Sequence, residues 1–175
     1  MQKQYHIAVI GGGASGLLAA IAAKIEGGAD CSVVILERND RIGRKILSTG
    51  NGRCNLGNTV IRKENYSGSL LEKAFAIFQQ APKTEDYFRQ IGLICREEEH
   101  RLYPCNHASA VLDSLRLQIE LYGITVRCDC KIQKMIPKKH GFLLQSDTES
   151  YFAEQVIFAC GGYAAPALGT DGSAY

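Results

Sequence analysis

The sequence lacks the features by which membrane and nucleic-acid-binding proteins are usually recognised. No apolar run approaches the roughly 20 residues that a membrane-spanning helix needs. Its 20 Lys and Arg residues are interspersed with 18 Asp and Glu residues, the net charge is +2, and no basic stripe or block is present. We therefore expect neither nucleic acid nor a membrane as a partner.

Patterns typical of metal and thiol chemistry are also missing. The seven cysteines are an odd number without C-x-x-C spacing, which argues against a zinc ribbon and against a thioredoxin-like redox pair. Cys128 and Cys130 are close, but alternate residues of a strand share one face without needing a ligand. The four histidines are scattered, and no Ser-His-Asp constellation is evident. We expect no metal site.

The composition is that of an ordinary folded domain. With 175 residues, 46% of them hydrophobic, the chain can bury one core. It runs from Met1 directly into an apolar segment and leaves no room for a signal peptide, so we expect a cytoplasmic location.

A glycine-rich turn near the N-terminus is the most informative motif. The apolar run Ile7–Ile10 is typical of a buried parallel strand, and Gly11, Gly13 and Gly16 follow it in G-x-G-x-x-G spacing. The first glycine would allow the turn, the second would let a pyrophosphate approach the backbone, and the third would let a helix pack closely.

The context of this turn favours a dinucleotide site over a purely structural glycine turn. Leu17–Ile25 is rich in Ala and Leu and predicts a helix, at whose start Ala14 and Ser15 would offer backbone N–H groups to a pyrophosphate. A second apolar strand at Ser32–Leu36 leads into Glu37, 21 residues after the last glycine of the motif. That spacing suits the carboxylate that binds the adenosine ribose hydroxyls.

The remaining chain predicts further helices and short strands. The helices are expected at Leu70–Gln80, Pro82–Ile91 and Ser109–Tyr122. The strands are expected at Leu93–Arg96, Arg101–Tyr103, Ile124–Arg127, Ile132–Ile136, Phe142–Gln145, Tyr151–Ala153 and Val156–Ala159. Ile124–Arg127 should be the third strand of the nucleotide-binding sheet, and the segments from Ile132 to Ala153 should form a small antiparallel β-meander.

Several motifs together identify a family resemblance. Besides the glycine turn and Glu37, they are Gly43–Lys45, the sequence TGNGRCN at Thr49–Asn55, Arg101–Pro104 and Ala159–Gly162. They resemble the BaiN/YhiN family of bacterial flavoproteins, also described as aminoacetone-oxidase-like. The resemblance spans essentially the whole chain, and Thr49–Asn55 is its most specific part.

The resemblance implies an α/β fold, namely an FAD/NAD(P)-binding, Rossmann-like three-layer (ββα) domain with a central parallel sheet and a small antiparallel β-meander. Family members are longer, with an inserted substrate domain and a returning C-terminal segment. We therefore expect residues 1–175 to be the N-terminal part of an FAD-binding domain that is incomplete relative to the family.

Cofactor-binding residues are predicted from these motifs. Arg38 would cover the adenine face or be an exposed charge, and Arg44 and Lys45 would bind the FAD phosphates or form a solvated basic turn. Ile132 would offer backbone groups to adenine. The whole set is Gly11, Gly13, Ala14, Ser15, Gly16, Glu37, Arg38, Arg44, Lys45, Thr49, Gly50, Asn51, Gly52, Arg53, Cys54, Asn55, Ile132, Ala159, Cys160, Gly161 and Gly162.

Near the flavin ring, the glycines of Thr49–Asn55 would let the backbone approach, while Asn51, Arg53 and Asn55 would hold the loop or donate to flavin oxygens. Cys54 is expected to be packed rather than catalytic. Small residues at Ala159–Gly162 would let the cofactor pass, with Cys160 where Thr is usual. Asp171 with Gly172 is a further candidate near the flavin.

The expected function is the FAD-binding part of a flavin-dependent oxidoreductase. A hydride or electron pair would pass via FAD to or from a small organic substrate, with NAD(P)H as a candidate electron donor. The alternative is a stand-alone regulatory module that binds NAD(P) or ADP-ribose without catalysis. A flavoprotein acting on RNA has the near-neutral charge balance against it. No catalytic acid or base is assigned, because the flavin would carry the chemistry, and the oligomeric state stays open.

Overall fold

The computed structural model describes residues 3–163, 166–168 and 172. Its strands within those residues are β1 (Lys3–Ile10), β2 (Val33–Leu36), β3 (Gly57–Asn58), β4 (Cys95–Glu98), β5 (Arg101–Pro104), β6 (Thr125–Arg127), β7 (Lys134–Lys138), β8 (Gly141–Gln145) and β9 (Ser150–Phe158). Its α-helices are α1 (Ala14–Gly27), α2 (Arg44–Ser48), α3 (Leu71–Gln80), α4 (Thr84–Gln90) and α5 (Ala108–Leu121). Short 3₁₀ turns lie at Thr49–Gly52, Lys63–Asn65 and Pro166–Leu168.

The chain divides into two compact units. The first unit consists of Met1–Leu47 and Leu115–Tyr175, and the second unit is Ser48–Ser114. None of the helices within the described ranges has the length and the apolar character that crossing a bilayer requires.

A six-stranded sheet in the order β6-β2-β1-β9-β8-β7 forms the centre of the first unit. Strands β6, β2, β1 and β9 are parallel, and β8 and β7 continue the sheet in antiparallel fashion. The predicted third strand at Ile124–Arg127 is confirmed as β6, which pairs with β2. Helix α1 connects β1 to β2, so these elements make the expected βαβ unit.

Strand β9 differs from the sequence prediction. Tyr151–Ala153 and Val156–Ala159 were expected as two strands, but Ser150–Phe158 is one strand of nine residues. It pairs antiparallel with β8 on one side and parallel with β1 on the other. The exposed polar residues Glu154 and Gln155 suggested a break, yet the extended backbone continues through them because the ladder to β1 satisfies it. The meander is therefore an extension of the main sheet.

The core of the first unit is built by apolar strands and one face of α1. Every residue of Val33–Leu36 is buried, as expected for a strand covered on both faces. In α1 the buried residues are Gly16, Leu17, Ala20 and Ile21, which recur at helical spacing. Small side chains on this face allow the helix to lie close to the sheet.

The second unit contains an antiparallel sheet in the order β3-β5-β4. The strand predicted at Leu93–Arg96 lies two residues further on, at β4, and the strand predicted at Arg101–Tyr103 is β5. Phe88, Leu93 and Leu102 are buried there. Helix α3, by contrast, has no buried residue.

Candidate dinucleotide-binding site

The three glycines of the turn between β1 and α1 have different surroundings. Gly11 has a φ of +108°, and a Cβ there would lie 2.4 Å from the carbonyl oxygen of Ala159. A Cβ at Gly16 would lie 1.9 Å from the carbonyl oxygen of Gly11. At Gly13, apart from the adjoining backbone and the two neighbouring residues, no atom of the described residues lies within 4 Å of the Cβ position. Packing within the protein therefore requires the first and third glycines, whereas Gly13 faces open space.

The N-terminus of helix α1 borders that space. Gly13 is its N-cap residue and has no side chain with which to cap it, and the first turn of the helix contains no acidic residue. The first N–H groups of a helix lack intrahelical partners and carry the positive end of its dipole. In this 14-residue helix they are left available for an anion, and a pyrophosphate fits both the charge and the space.

A cavity of about 640 Å³ opens at this helix end. All of its lining residues belong to the first unit, and its volume lies within the usual range for small-molecule sites. Twelve of the predicted cofactor-binding residues line it: Gly11, Gly13, Ala14, Ser15, Glu37, Arg38, Arg44, Lys45, Ile132, Ala159, Cys160 and Gly161. Gly16 lies behind the turn against Gly11, and Gly162, like Gly16, is outside the lining that the structure describes.

The charge of the cavity wall is strongly one-sided. Its cationic residues are Arg38, Arg41, Arg44, Lys45, Lys131 and Lys134. Glu37 is the one carboxylate among the described lining residues. A ligand that carries phosphate groups is therefore favoured.

Glu37 is buried, with 6% of its surface exposed, and is held by backbone and side-chain donors. The N–H of Gly12 donates to its Oε2 at 2.6 Å, and the N–H of Asn39 donates to its Oε1 at 2.8 Å. The amide nitrogen of Asn39 also donates to Oε1. A buried carboxylate is stabilised by such donors.

Sequence reasoning missed Gly12 and Asn39. A Cβ at Gly12 would lie 2.5 Å from the Cγ2 of Ile42 and 3.1 Å from Oε2 of Glu37, so the absence of a side chain brings this N–H to the carboxylate. The sequence did contain a signal for Gly12: the run Gly11–Gly13 has three glycines, and the motif needs only the first and the last of them.

The basic turn after β2 folds back onto the glycine turn. The N–H of Gly43 donates to the carbonyl oxygen of Gly12 at 2.8 Å. Nη1 of Arg44 donates to Oδ1 of Asn39 at 3.1 Å. Arg44 is therefore anchored at the edge of the cavity, close to the groups that hold Glu37.

Two of the thiols near the cavity, those of Cys160 and Cys128, are in surroundings that disfavour the thiolate. Burial raises the pKa of Cys160, whose Sγ donates to the carbonyl oxygen of Ile10 at 3.5 Å. Burial likewise raises the pKa of Cys128, with Glu37 adding to the shift. Cys130 is buried with its Sγ 3.8 Å from the hydroxyl of Tyr151. The raised pKa values make Cys160 and Cys128 poor nucleophiles.

The Thr49–Asn55 loop belongs to the second unit and has an unusual backbone. Gly50, Asn51, Gly52 and Cys54 all have positive φ values, a conformation that non-glycine residues adopt rarely. The N–H of Cys54 donates to the carbonyl oxygen of Thr49, and its side chain is buried. Such a loop needs fixed supports on its own unit.

Arg53 provides one of these supports. Its guanidinium lies 4.0 Å from the centre of the Tyr103 ring and forms an ion pair with Glu98. Oδ1 of Asn55 accepts a hydrogen bond from the N–H of Gly57. Of the two roles considered for Arg53, these contacts favour holding the loop. The role of Thr49–Asn55 toward a flavin stays a prediction, and Asp171 lies outside the described residues.

Comparison with known protein families shows to which family the chain belongs. Residues 5–175 match the model of the HI0933-like protein Rossmann domain. The chain belongs to this family. The resemblance found in the motifs is thereby confirmed, and so is the Rossmann-like α/β fold class.

Two curated relatives align with nearly the whole chain. The 3-dehydro-bile acid delta(4,6)-reductase of Clostridium scindens is 38% identical over 173 residues, which are 97% of this chain and 42% of the relative. The ribosomal RNA dihydrouridine synthase of Escherichia coli is 26% identical over 177 residues, 99% of this chain and 43% of the relative. The chain thus spans about two fifths of the length of these relatives.

Solved structures agree on the architecture. The crystal structure of Thermovibrio ammonificans THI4 superposes with a TM-score of 0.60 at 16% identity, covering 93% of this chain and 59% of that one. At this level of identity the likeness concerns the fold.

Proposed function

We propose that the chain is the FAD-binding part of a flavin-dependent oxidoreductase that acts on a small organic substrate. The observation that carries the proposal is the open space at Gly13, bordered by the uncapped N-terminus of α1 and sharing its cavity with buried Glu37. This arrangement matches the ADP half of a dinucleotide, with the pyrophosphate at the helix end and the ribose at the carboxylate.

FAD is favoured over a nicotinamide dinucleotide by features outside the glycine turn. The TGNGRCN sequence at Thr49–Asn55 and the small residues at Ala159–Gly162 are the motifs that resemble flavoproteins. A relative with 38% identity is named a reductase, which supports redox chemistry. When bound, FAD would accept or deliver the hydride or electron pair, with NAD(P)H as the proposed electron donor.

The chain's own residues would hold and orient the cofactor. Arg44 and Lys45 would neutralise the pyrophosphate, since both line the cavity beside the helix end. Arg38 and the backbone of Ile132 would contact the adenine. Because the family model runs through residues 5–175 and so includes both units, we propose that they serve one FAD-binding domain.

Titration of the purified chain tests the cofactor. FAD, NAD and NADP are each added while heat release is measured, and the visible spectrum of bound flavin is recorded. We expect FAD to bind at least about tenfold more tightly than either nicotinamide dinucleotide, a difference of about 1.4 kcal/mol. Preference for NAD or NADP would favour the regulatory module, and a chain that takes up no FAD would refute the proposal.

The substrate class needs its own experiment, because one relative is named for action on ribosomal RNA. The flavin of the holoprotein is reduced with NADH or NADPH, and its reoxidation is followed with a 3-dehydro bile acid that carries double bonds at positions 4 and 6, or with ribosomal RNA. Faster reoxidation by the small molecule is expected. Reoxidation by RNA alone would contradict the small-molecule part of the proposal and leave the cofactor assignment intact.

A further inference from the structure

The hydrogen bonds at Glu37 limit what a ligand can do there. A carboxylate offers about four acceptor positions, two on each oxygen. Oε1 accepts from both the backbone N–H and the amide of Asn39, whereas Gly12 is the one donor to Oε2 among the residues that the structure describes. One acceptor position therefore remains, and it is on Oε2.

The amide of Asn39 is fixed in this orientation by its two partners. Its nitrogen faces the carboxylate, which needs a donor, and its oxygen faces Arg44, which can only donate. Rotating the amide by half a turn would place oxygen against oxygen and N–H against N–H. Arg44 therefore holds Asn39 in the orientation that occupies Oε1.

These groups form part of the cavity wall. Gly12, Glu37, Asn39 and Arg44 all line it, and the carboxylate is nearly inaccessible from outside. A ligand hydroxyl that reaches Glu37 meets an acceptor already oriented by the protein, with its free position on the side of the glycine turn.

We propose that Asn39 is a positioning residue whose two donors occupy Oε1 of Glu37. As a result, Glu37 accepts a hydrogen bond from only one hydroxyl of the adenosine ribose, and it does so at Oε2. This inference rests on the proposed function, because it needs an adenosine ribose at Glu37. A carboxylate that binds both ribose hydroxyls would make the two contribute similarly to the affinity. Here, one hydroxyl should contribute much more to the affinity than the other.

Binding of three nucleotides to the chain tests the inference. ADP, 2′-deoxy-ADP and 3′-deoxy-ADP are titrated calorimetrically. We expect loss of one hydroxyl to weaken binding about tenfold, as for a hydrogen bond to a charged group, and loss of the other to weaken it less than about twofold. In Asn39→Ala the backbone N–H of residue 39 still donates to Oε1, but the acceptor position held by the side-chain amide opens. Removal of the second hydroxyl should then cost about fivefold.

Two variants provide the controls. Asn65→Ala removes an exposed asparagine amide in the second unit and should leave the unequal losses of wild type unchanged. Glu37→Gln should abolish the inequality, and adding Asn39→Ala to it should change little further, because Asn39 acts through Glu37.

The outcomes separate this inference from the cofactor assignment. Equal losses for the two hydroxyls in wild type, which requires no variant to fold, would overturn the inference while FAD binding stands. Unchanged inequality in folded Asn39→Ala would overturn the role of Asn39. If wild type binds neither FAD nor ADP, the proposed function fails and the inference with it.

Discussion

Single residues in the glycine turn show that one motif serves two purposes. Gly11 and Gly16 leave no room for a methyl group because carbonyl oxygens of the protein lie against them. Gly13 has room and a φ of −80°, which any residue adopts. Folding and ligand binding are thus assigned to different glycines.

A matched pair of alanine variants tests this division. Gly16→Ala should lower the free energy of unfolding by about 2 kcal/mol or more, because its Cβ overlaps the Gly11 carbonyl oxygen. Gly13→Ala should change the stability of the cofactor-free chain by less than about 1 kcal/mol, yet weaken FAD binding at least about tenfold. Urea unfolding and FAD titration measure the two effects. Equal loss of stability in both variants would contradict the division.

Buried Tyr151 should make stability depend on alkaline pH. Burial first, and then the hydrogen bond to Glu149, raises the pKa of Tyr151. Above the ordinary tyrosine value of about 10, the unfolded chain loses this proton while the folded chain keeps it, so stability falls as pH rises. Tyr151→Phe should show a shallower decline above about pH 10 in denaturant titrations. A decline as steep as in wild type would exclude this tyrosine as a cause.

Whether a site residue can be predicted from the sequence depends on whether a local motif marks it or only a contact with a residue far along the chain. Gly11, Gly13, Gly16 and Glu37 stand out in the sequence because their spacing is characteristic. The bond from Gly12 to Glu37 joins residues 25 apart in the chain, and it depends on the exact return of β2 beside β1. Spacing alone does not specify such a contact.

Among the elements, strand β9 shows how pairing overrides local sequence. Glu154 and Gln155 interrupt the apolar pattern, and the sequence therefore predicts two short strands. Because β1 pairs with it from Lys3 to Ile10, the strand continues through the polar pair.

Most helices and strands were predictable within one or two residues, since they are apolar runs bounded by turn residues. The length of β9 was not, because it depends on the partner strand.

The Thr49–Asn55 loop yields a prediction at the same scale. Arg53→Ala removes both the stacking on Tyr103 and the pairing with Glu98, so amide exchange at Cys54 should accelerate about threefold to tenfold. Arg96→Ala is the control, since Arg96 also pairs with Glu98 at 2.9 Å but an exposed pair contributes little. Hydrogen exchange followed by NMR gives the rates. Equal acceleration in both variants would contradict a particular role of Arg53 in supporting the loop, because Arg96→Ala leaves both contacts of Arg53 in place.

The whole molecule has a nearly balanced charge that is unevenly distributed. Its net charge is +2, yet six cationic residues and one carboxylate line the described cavity wall. Composition did not reveal this, because the cations come from the turn after β2 and from the chain around β7.

The division into two units could not be predicted from the sequence either. Both boundaries fall inside helices, α2 and α5, where no linker composition marks them.

Salt should therefore weaken ligands that carry phosphate. Between about 50 mM and about 300 mM salt, we expect the affinity for ADP to fall severalfold and that for adenosine to change little. Calorimetric titration at each salt concentration measures both. Equal sensitivity of the two ligands would mean that the cations of the cavity do not act on the phosphates.

The open space at Gly13 also has an evolutionary consequence. We expect selection for folding to maintain Gly11 and Gly16 in relatives whose turn packs as it does here, whereas a bound ligand would maintain Gly13. In a lineage that abandoned its cofactor, Gly13 would be free to drift while its neighbours in the motif stayed fixed. A side chain at this one position would identify family members that keep the fold and have lost the nucleotide.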